Sequence, residues 1–170
     1  NLARLDIRQE ASRHSQLIEE LVKKKLKKNY FKMTEDQKIS FLSKGIKSKR
    51  NIINNFKFKN NENLEVWSTF NVLSDEPEEC LGGYIISMTA SASDILAVSF
   101  LQKEAKIKKK LRVIPLFETL DDLKNAKSIM QKLFSLSWYR KLIKNKQEIM
   151  IGYSDSSKDA GKLSASWHQY

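Results

Sequence analysis

Four short apolar runs, each followed by a stretch of helical periodicity, constrain this chain more than any other feature. They are Leu2 to Ile7, Tyr84 to Met88, Leu111 to Phe117 and Glu148 to Tyr153. The first alternates apolar and polar residues as a short strand does, whereas the next two are almost continuously apolar. Short strands separated by amphipathic helices predict an α/β fold, with a parallel sheet whose two faces are covered. At 170 residues the chain is long enough for one domain with a sizeable core. It is too short for a complete eight-fold α/β barrel, which needs about 250 residues.

The connecting helices follow from apolar spacing and capping chemistry. Ser12 is placed to cap a helix reaching about Lys28, with Leu17, Ile18, Leu21, Val22 and Leu26 on its apolar face. Thr34 with Gln37 reads as a capping box for a short helix ending at Gly45. Residues 47–61 lack helical period and read as a surface loop. Glu62 to Leu73 reads as a helix with Leu64, Trp67 and Phe70 inward. Further helices are expected from Ile95 to Ala105, from Asp121 to Phe134 and from Trp138 to Ile143. A terminal helix is expected to open at Ser157 or Lys158. Internal repeats, a glycine-rich phosphate loop and cysteine/histidine metal spacings are all absent from the sequence.

The net charge of +11 invites a nucleic-acid reading, and its location argues against one. Thirteen Lys and Arg but only three Asp and Glu lie between residues 20 and 60; elsewhere eighteen basic residues face seventeen acidic ones. The excess therefore sits in one Lys- and Asn-rich stretch, away from the strand ends. Its run Lys23-Lys24-Lys25, with Lys27 and Lys28, reads as a solvated helix face, because interleaved aromatics are few and no binding motif accompanies it. The lone Cys80 excludes an intrachain disulfide and fits a reducing, cytoplasmic setting. No apolar run approaches the roughly 20 residues of a membrane span, so neither a membrane nor a nucleic acid is expected as partner.

In α/β barrels the chemistry lies on the loops that leave the carboxyl ends of the strands. Those ends offer Arg8, Ser93-Asp94, Glu118 and Asp155 with Lys158. Two carboxylates on separate strands suit a hard divalent cation, which takes one or two protein oxygens and leaves positions for substrate. Spacing alone favours blander roles: Glu118 as a helix cap and Asp155 as a turn acid. Lys158 is electrostatically misplaced at a helix start, which an anionic ligand would offset, although a solvated lysine fits equally simple rules. Arg8 can offer its fork to a carboxylate or phosphate, or pair with Asp6 or Glu10. His14 and His168 lie among polar residues on helices and receive no chemical role, and Trp67, Trp138 and Trp167 read as core.

Longer blocks carry a family likeness. They are Leu5-Asp6-Ile7-Arg8-Gln9-Glu10, Tyr84-Ile85-Ile86-Ser87-Met88, Ser93-Asp94-Ile95-Leu96-Ala97-Val98 and Pro115-Leu116-Phe117-Glu118-Thr119-Leu120-Asp121-Asp122-Leu123. Trp138-Tyr139-Arg140, Lys146-Gln147 and Met150 through Gly161 (Met-Ile-Gly-Tyr-Ser-Asp-Ser-Ser-Lys-Asp-Ala-Gly) complete the series in order. The chain resembles the central part of a phosphoenolpyruvate carboxylase over almost its whole length, most weakly in residues 20–65.

The resemblance implies a mostly helical enzyme built round a TIM-like (β/α)8 barrel, assembled as a homotetramer. Residues 1–170 would form one partial catalytic domain, with 20–61 a basic helical and loop insertion between barrel strands. The reaction implied joins phosphoenolpyruvate and bicarbonate, with Mg²⁺ or Mn²⁺, to give oxaloacetate and phosphate through carboxyphosphate and an enolate. By the family's motifs Glu118 and Asp155 bind the metal, Lys158 is catalytic, and Arg8 lies at the substrate site. The family's essential histidine block and its glycine- and arginine-rich loop match nothing here. An internal piece of a larger protein, inactive and poorly stable alone, is therefore expected. The alternatives are a catalytically dead scaffold on the same barrel and, more remotely, another metal-dependent enzyme of phosphoenolpyruvate.

Overall fold

The computed structural model describes residues 4–152. Asp155, Lys158, His168, Trp167, the end of the fourth apolar run and the expected terminal helix lie outside the described residues. Strand β1 (Leu5–Glu10) leads into α1 (Ala11–Leu26), α2 (Glu35–Lys47) and α3 (Asn61–Asp75). Then β2 (Leu81–Ser87), α4 (Ala92–Glu104), β3 (Arg112–Phe117), α5 (Leu120–Phe134), α6 (Ser137–Leu142) and β4 (Met150–Ile151) follow. The strands form one parallel sheet in the order β1-β2-β3-β4, each beside its successor. No described helix is long and apolar enough to cross a membrane.

Pleating divides the sheet residues between two environments. Tyr84, Ile86, Val113 and Phe117 join the main core with residues of α1, α2, α3, α4 and α5. Ile85, Ile114 and Leu116 point the other way and form a small cluster of their own. No helical residue belongs to that second cluster among the described residues. Both faces of the central strands are buried, as expected, and among the described residues the helices pack on one of them. Helix α4 is central and buried almost all round, between α1, α2 and β3. Phe70 of α3 stacks on Tyr84 of β2 with ring centroids 5.3 Å apart.

Several local expectations change, each for a visible reason. Ser12 is not the cap of α1: β1 runs directly into the helix, Glu10 takes the cap position, and Ser12 donates its hydroxyl to the Glu10 carboxylate. The helix stops at Leu26 because Lys27 turns left-handed, and Leu26 itself is exposed. Leu64 is exposed too; Asn63, Val66, Phe70 and Leu73 face inward, and Asn63 is tolerated there because it donates to Glu20 at 2.8 Å. The Thr34–Gln37 capping box forms as expected.

Gly45 does not end α2, which continues to Lys47. It is buried beneath Phe100, and a Cβ there would meet the ring at 2.6 Å. Gly45→Ala should therefore lower stability by about 1–2 kcal/mol, overpacking outweighing the gain in helix propensity. A urea midpoint equal to or above the parent's would refute this.

The basic stretch is not simply solvated either. Ile53 and Phe58 are buried, and the loop is tied to the helices at both ends. The Ile53 N–H donates to the buried Glu104 carboxylate at 2.7 Å, and the Lys59 N–H to Glu20 at 2.7 Å. Lys25 donates to the Ile52 and Asn54 carbonyls, and Lys24 pairs with Glu20. The lysines of α1 are thus partly a clamp for the following loop.

Candidate functional site

Parallel pairing brings the carboxyl ends of β1, β2, β3 and β4 to one edge of the sheet. Register places Arg8 opposite Ile85, and Ile85 opposite Ile114, so the three share the face away from the helices. Two pleats beyond Ile114, past the end of β3, stands Glu118. The Arg8 guanidinium reaches its carboxylate at 3.4 Å, across the intervening β2. Glu118 is only 17% exposed, whereas Arg8 is 55% exposed.

Neither competing acid holds the arginine. Asp6 accepts the Gly83 N–H at 2.6 Å, and Glu10 accepts the Ser12 hydroxyl. The partner the structure records is neither of the two nearby acids but Glu118, 110 residues away in the chain.

Glu118 does not cap α5. Thr119 is the cap: its hydroxyl accepts the Asp122 N–H at 3.1 Å, and Asp122 accepts the N–H groups of Thr119 at 3.0 Å and Glu118 at 3.2 Å. The helix start is therefore satisfied by Thr119 and Asp122, and the Glu118 side chain is left to the rim. It lies one residue before the cap, near the positive end of the helix dipole, which favours an anion there.

Ser93 and Asp94 fare differently. Helix α4 begins at Ala92 behind the cap Ser91, which places both residues inside its first turn. Asp94 accepts the N–H groups of Ala90 and Ser91, and Ser93 donates its N–H and hydroxyl to Glu35. Burial pushes the Asp94 carboxyl up from its ordinary range, while its bonds from Ser91 and Ala90 act against that. These residues build the helix start and do not join the rim.

Two rim features have no forecast in the sequence reading. Met88, just past β2, is exposed and left-handed (φ 54°), a conformation that methionine does not announce. Gly152, just past β4, donates its N–H to the Phe117 carbonyl at 2.9 Å and lies against Glu118. The signal for the second was present: a glycine closing a strand marks a close approach of backbone.

Among the described residues no group of three or more His, Cys, Asp and Glu stands together as a metal site. The rim offers one sheltered oxygen donor, Glu118, and Asp155 lies outside the described residues. Two cavities of about 340 and 210 Å³ are lined by residues such as Leu81, Lys109 and Arg112, towards the opposite ends of the strands. They are remote from Arg8 and Glu118.

A sequence model of the family described as phosphoenolpyruvate carboxylase matches residues 1–170. Among curated proteins, phosphoenolpyruvate carboxylase 1 of Flaveria trinervia is 45% identical over 170 residues, and the phosphoenolpyruvate carboxylase of Aliivibrio salmonicida is 47% identical over 170. That of Proteus mirabilis is 47% identical over 169 residues. The alignments cover 99–100% of this chain but only 18–19% of those proteins.

Proposed function

Because the chain belongs to the phosphoenolpyruvate carboxylase family, we propose that it supplies part of the active site that carboxylates phosphoenolpyruvate with bicarbonate, yielding oxaloacetate and phosphate. The observation that carries this reading is the meeting of Arg8 and Glu118 at the carboxyl ends of non-adjacent parallel strands. Such a pair is assembled over 110 residues and is half sheltered from water. It suits a site for an anionic substrate and a cation.

In this proposal Glu118 and Asp155 hold Mg²⁺ or Mn²⁺. Glu118 fits: it is a hard oxygen donor, sheltered, and relieved of capping duty by Asp122. When bound, the metal supplies a Lewis acid for charge developing on phosphate and enolate oxygens. Arg8 binds and orients the substrate, its planar fork directed at phosphate or carboxylate oxygens. Lys158 adds positive charge towards the same substrate. The cluster of Ile85, Ile114 and Leu116 lies on Arg8's face of the sheet and keeps water from its floor. Ionic contacts at such a rim are stronger than in bulk solvent.

Four parallel strands in sequential order, with helices on one face, are what half of an eight-stranded barrel contributes. We extend the proposal to that barrel, to a homotetramer and to the cytoplasm. The test is bicarbonate-dependent oxaloacetate formation from phosphoenolpyruvate by the whole protein that carries this segment, read by coupled NADH oxidation. The 170 residues by themselves should form none. A folded whole protein without such turnover would favour the scaffold reading instead.

A further inference from the structure

We infer that Gly152 is a positioning residue for Glu118: the absence of a side chain at 152 sets where the rim carboxylate stands. The inference rests on the proposed role of Glu118. Strands β3 and β4 pair Leu116 with Met150 and Phe117 with Ile151, which brings Gly152 alongside Glu118. The Gly152 N–H to Phe117 carbonyl bond, 2.9 Å long, closes the ladder at that point. A Cβ built on Gly152 would lie 2.6 Å from the Glu118 Cβ, 3.3 Å from its Cα and 3.5 Å from Oε2.

The identity of the atoms met decides the consequence. A clash with the far end of a flexible side chain is relieved by a rotamer change. The Cβ and Cα of Glu118 cannot move without moving the backbone that carries the carboxylate. Gly82 and Gly83, within β2, differ: added Cβ atoms there would first meet the Asp6 carboxylate and the Ile114 Cδ1, both side-chain ends. Among the described glycines, Gly152 alone is packed against the main chain and Cβ of a rim residue. A methyl group there must either displace Glu118 from its present place or splay β4 from β3. Both routes change where the Glu118 carboxylate stands relative to β4.

The test uses the whole protein and reads Mn²⁺ affinity from the free-ion EPR signal, with thermal unfolding alongside. Gly152→Ala should weaken Mn²⁺ binding about 10- to 100-fold, the range typical when a ligand's supporting contact is lost. Gly45→Ala, an equally tight glycine away from the rim, should lower the unfolding temperature without changing Mn²⁺ affinity. Parent-like Mn²⁺ binding by Gly152→Ala, with weakened binding by Glu118→Gln, overturns the inference and leaves the ligand reading intact. Parent-like binding by Glu118→Gln overturns both. Should Gly152→Ala fail to fold, the double variant Gly152→Ala/Glu118→Gly removes the Cβ that the methyl meets. Recovery of folding then supports the contact, and continued failure refutes it.

Discussion

Glu118→Ala is expected to lower kcat/KM of the whole protein by about a thousandfold or more, with a steeper Mg²⁺ requirement. The magnitude comes from the several kcal/mol that a bound cation contributes to transition-state charge, at about 1.4 kcal/mol per tenfold in rate. The structure makes the experiment interpretable. Glu118 accepts no capping bond, so its loss should leave α5 intact, and its neighbour provides the control. Thr119→Ala removes the capping hydroxyl that accepts the Asp122 N–H and should cost about 1 kcal/mol of stability. It should leave the Mg²⁺ dependence alone. Initial rates over a Mg²⁺ titration separate the two. An unchanged Mg²⁺ profile in Glu118→Ala, and likewise in Asp155→Ala, would sink the ligand proposal.

That control also shows what was legible in the residues and overlooked. Thr119 and Asp122, like Ser91 and Asp94, stand three apart ahead of a helical pattern, which is capping-box spacing with aspartate in place of the usual glutamate or glutamine. Reading both boxes would have removed Asp94 from the rim and released Glu118 from capping. Thr34 and Gln37, at the same spacing, form the box with the usual glutamine. The strands and their parallel pairing were readable because β2 and β3 are buried on both faces, and two-sided burial demands continuous apolar sequence. One-sided helix packing was not readable. It depends on sheet curvature and on which face each crossover takes, neither of which leaves a periodic trace.

The basic stretch failed for a related reason. Its Lys and Asn residues resemble solvated surface, and Ile53 and Phe58 recur with no helical or strand period. Their burial is decided by partners far along the chain: Glu104 for the Ile53 amide, and Lys25 for the carbonyls beside it. Backbone groups taken out of water need such partners, and a buried carboxylate is a strong one. Arg8 was the converse case. Sequence proximity offered Asp6 and Glu10, but Asp6 is committed to the Gly83 amide, and strand register, not distance along the chain, selects Glu118. Asp155 and Lys158 rest on family motifs alone.

The second large effect is expected from acid, through His14. This residue lies among polar neighbours in the sequence, yet it is fully buried between Tyr84 and Phe70. The Tyr84 hydroxyl gives its one proton to Gln9 at 2.7 Å and so accepts from His14 Nε2 at 2.8 Å. Nδ1 is left as a buried acceptor without a hydrogen-bond partner. Burial foremost, with the positive charge of Arg13, pushes the imidazole down from 6.5 to about 3; the Ala11 backbone opposes this only in part. A histidine depressed in the folded state is neutral there while its unfolded counterpart takes up a proton. Its contribution is therefore complete above pH 6.5 and is lost as pH falls from 6.5 towards 3. The full loss is on the order of 5 kcal/mol, with about 2–3 kcal/mol gone by pH 4.5. Below 4.5 a second group joins. Although burial works the other way, bonds from Asn63, Lys24 and the Lys59 amide hold the Glu20 carboxyl down to about 2. The interval from neutrality to 4.5 thus isolates His14 from Glu20. His14→Gln can still donate to Tyr84 but cannot titrate, and should flatten the decline in urea midpoint across that interval. An equally steep decline in the variant would assign the acid sensitivity elsewhere.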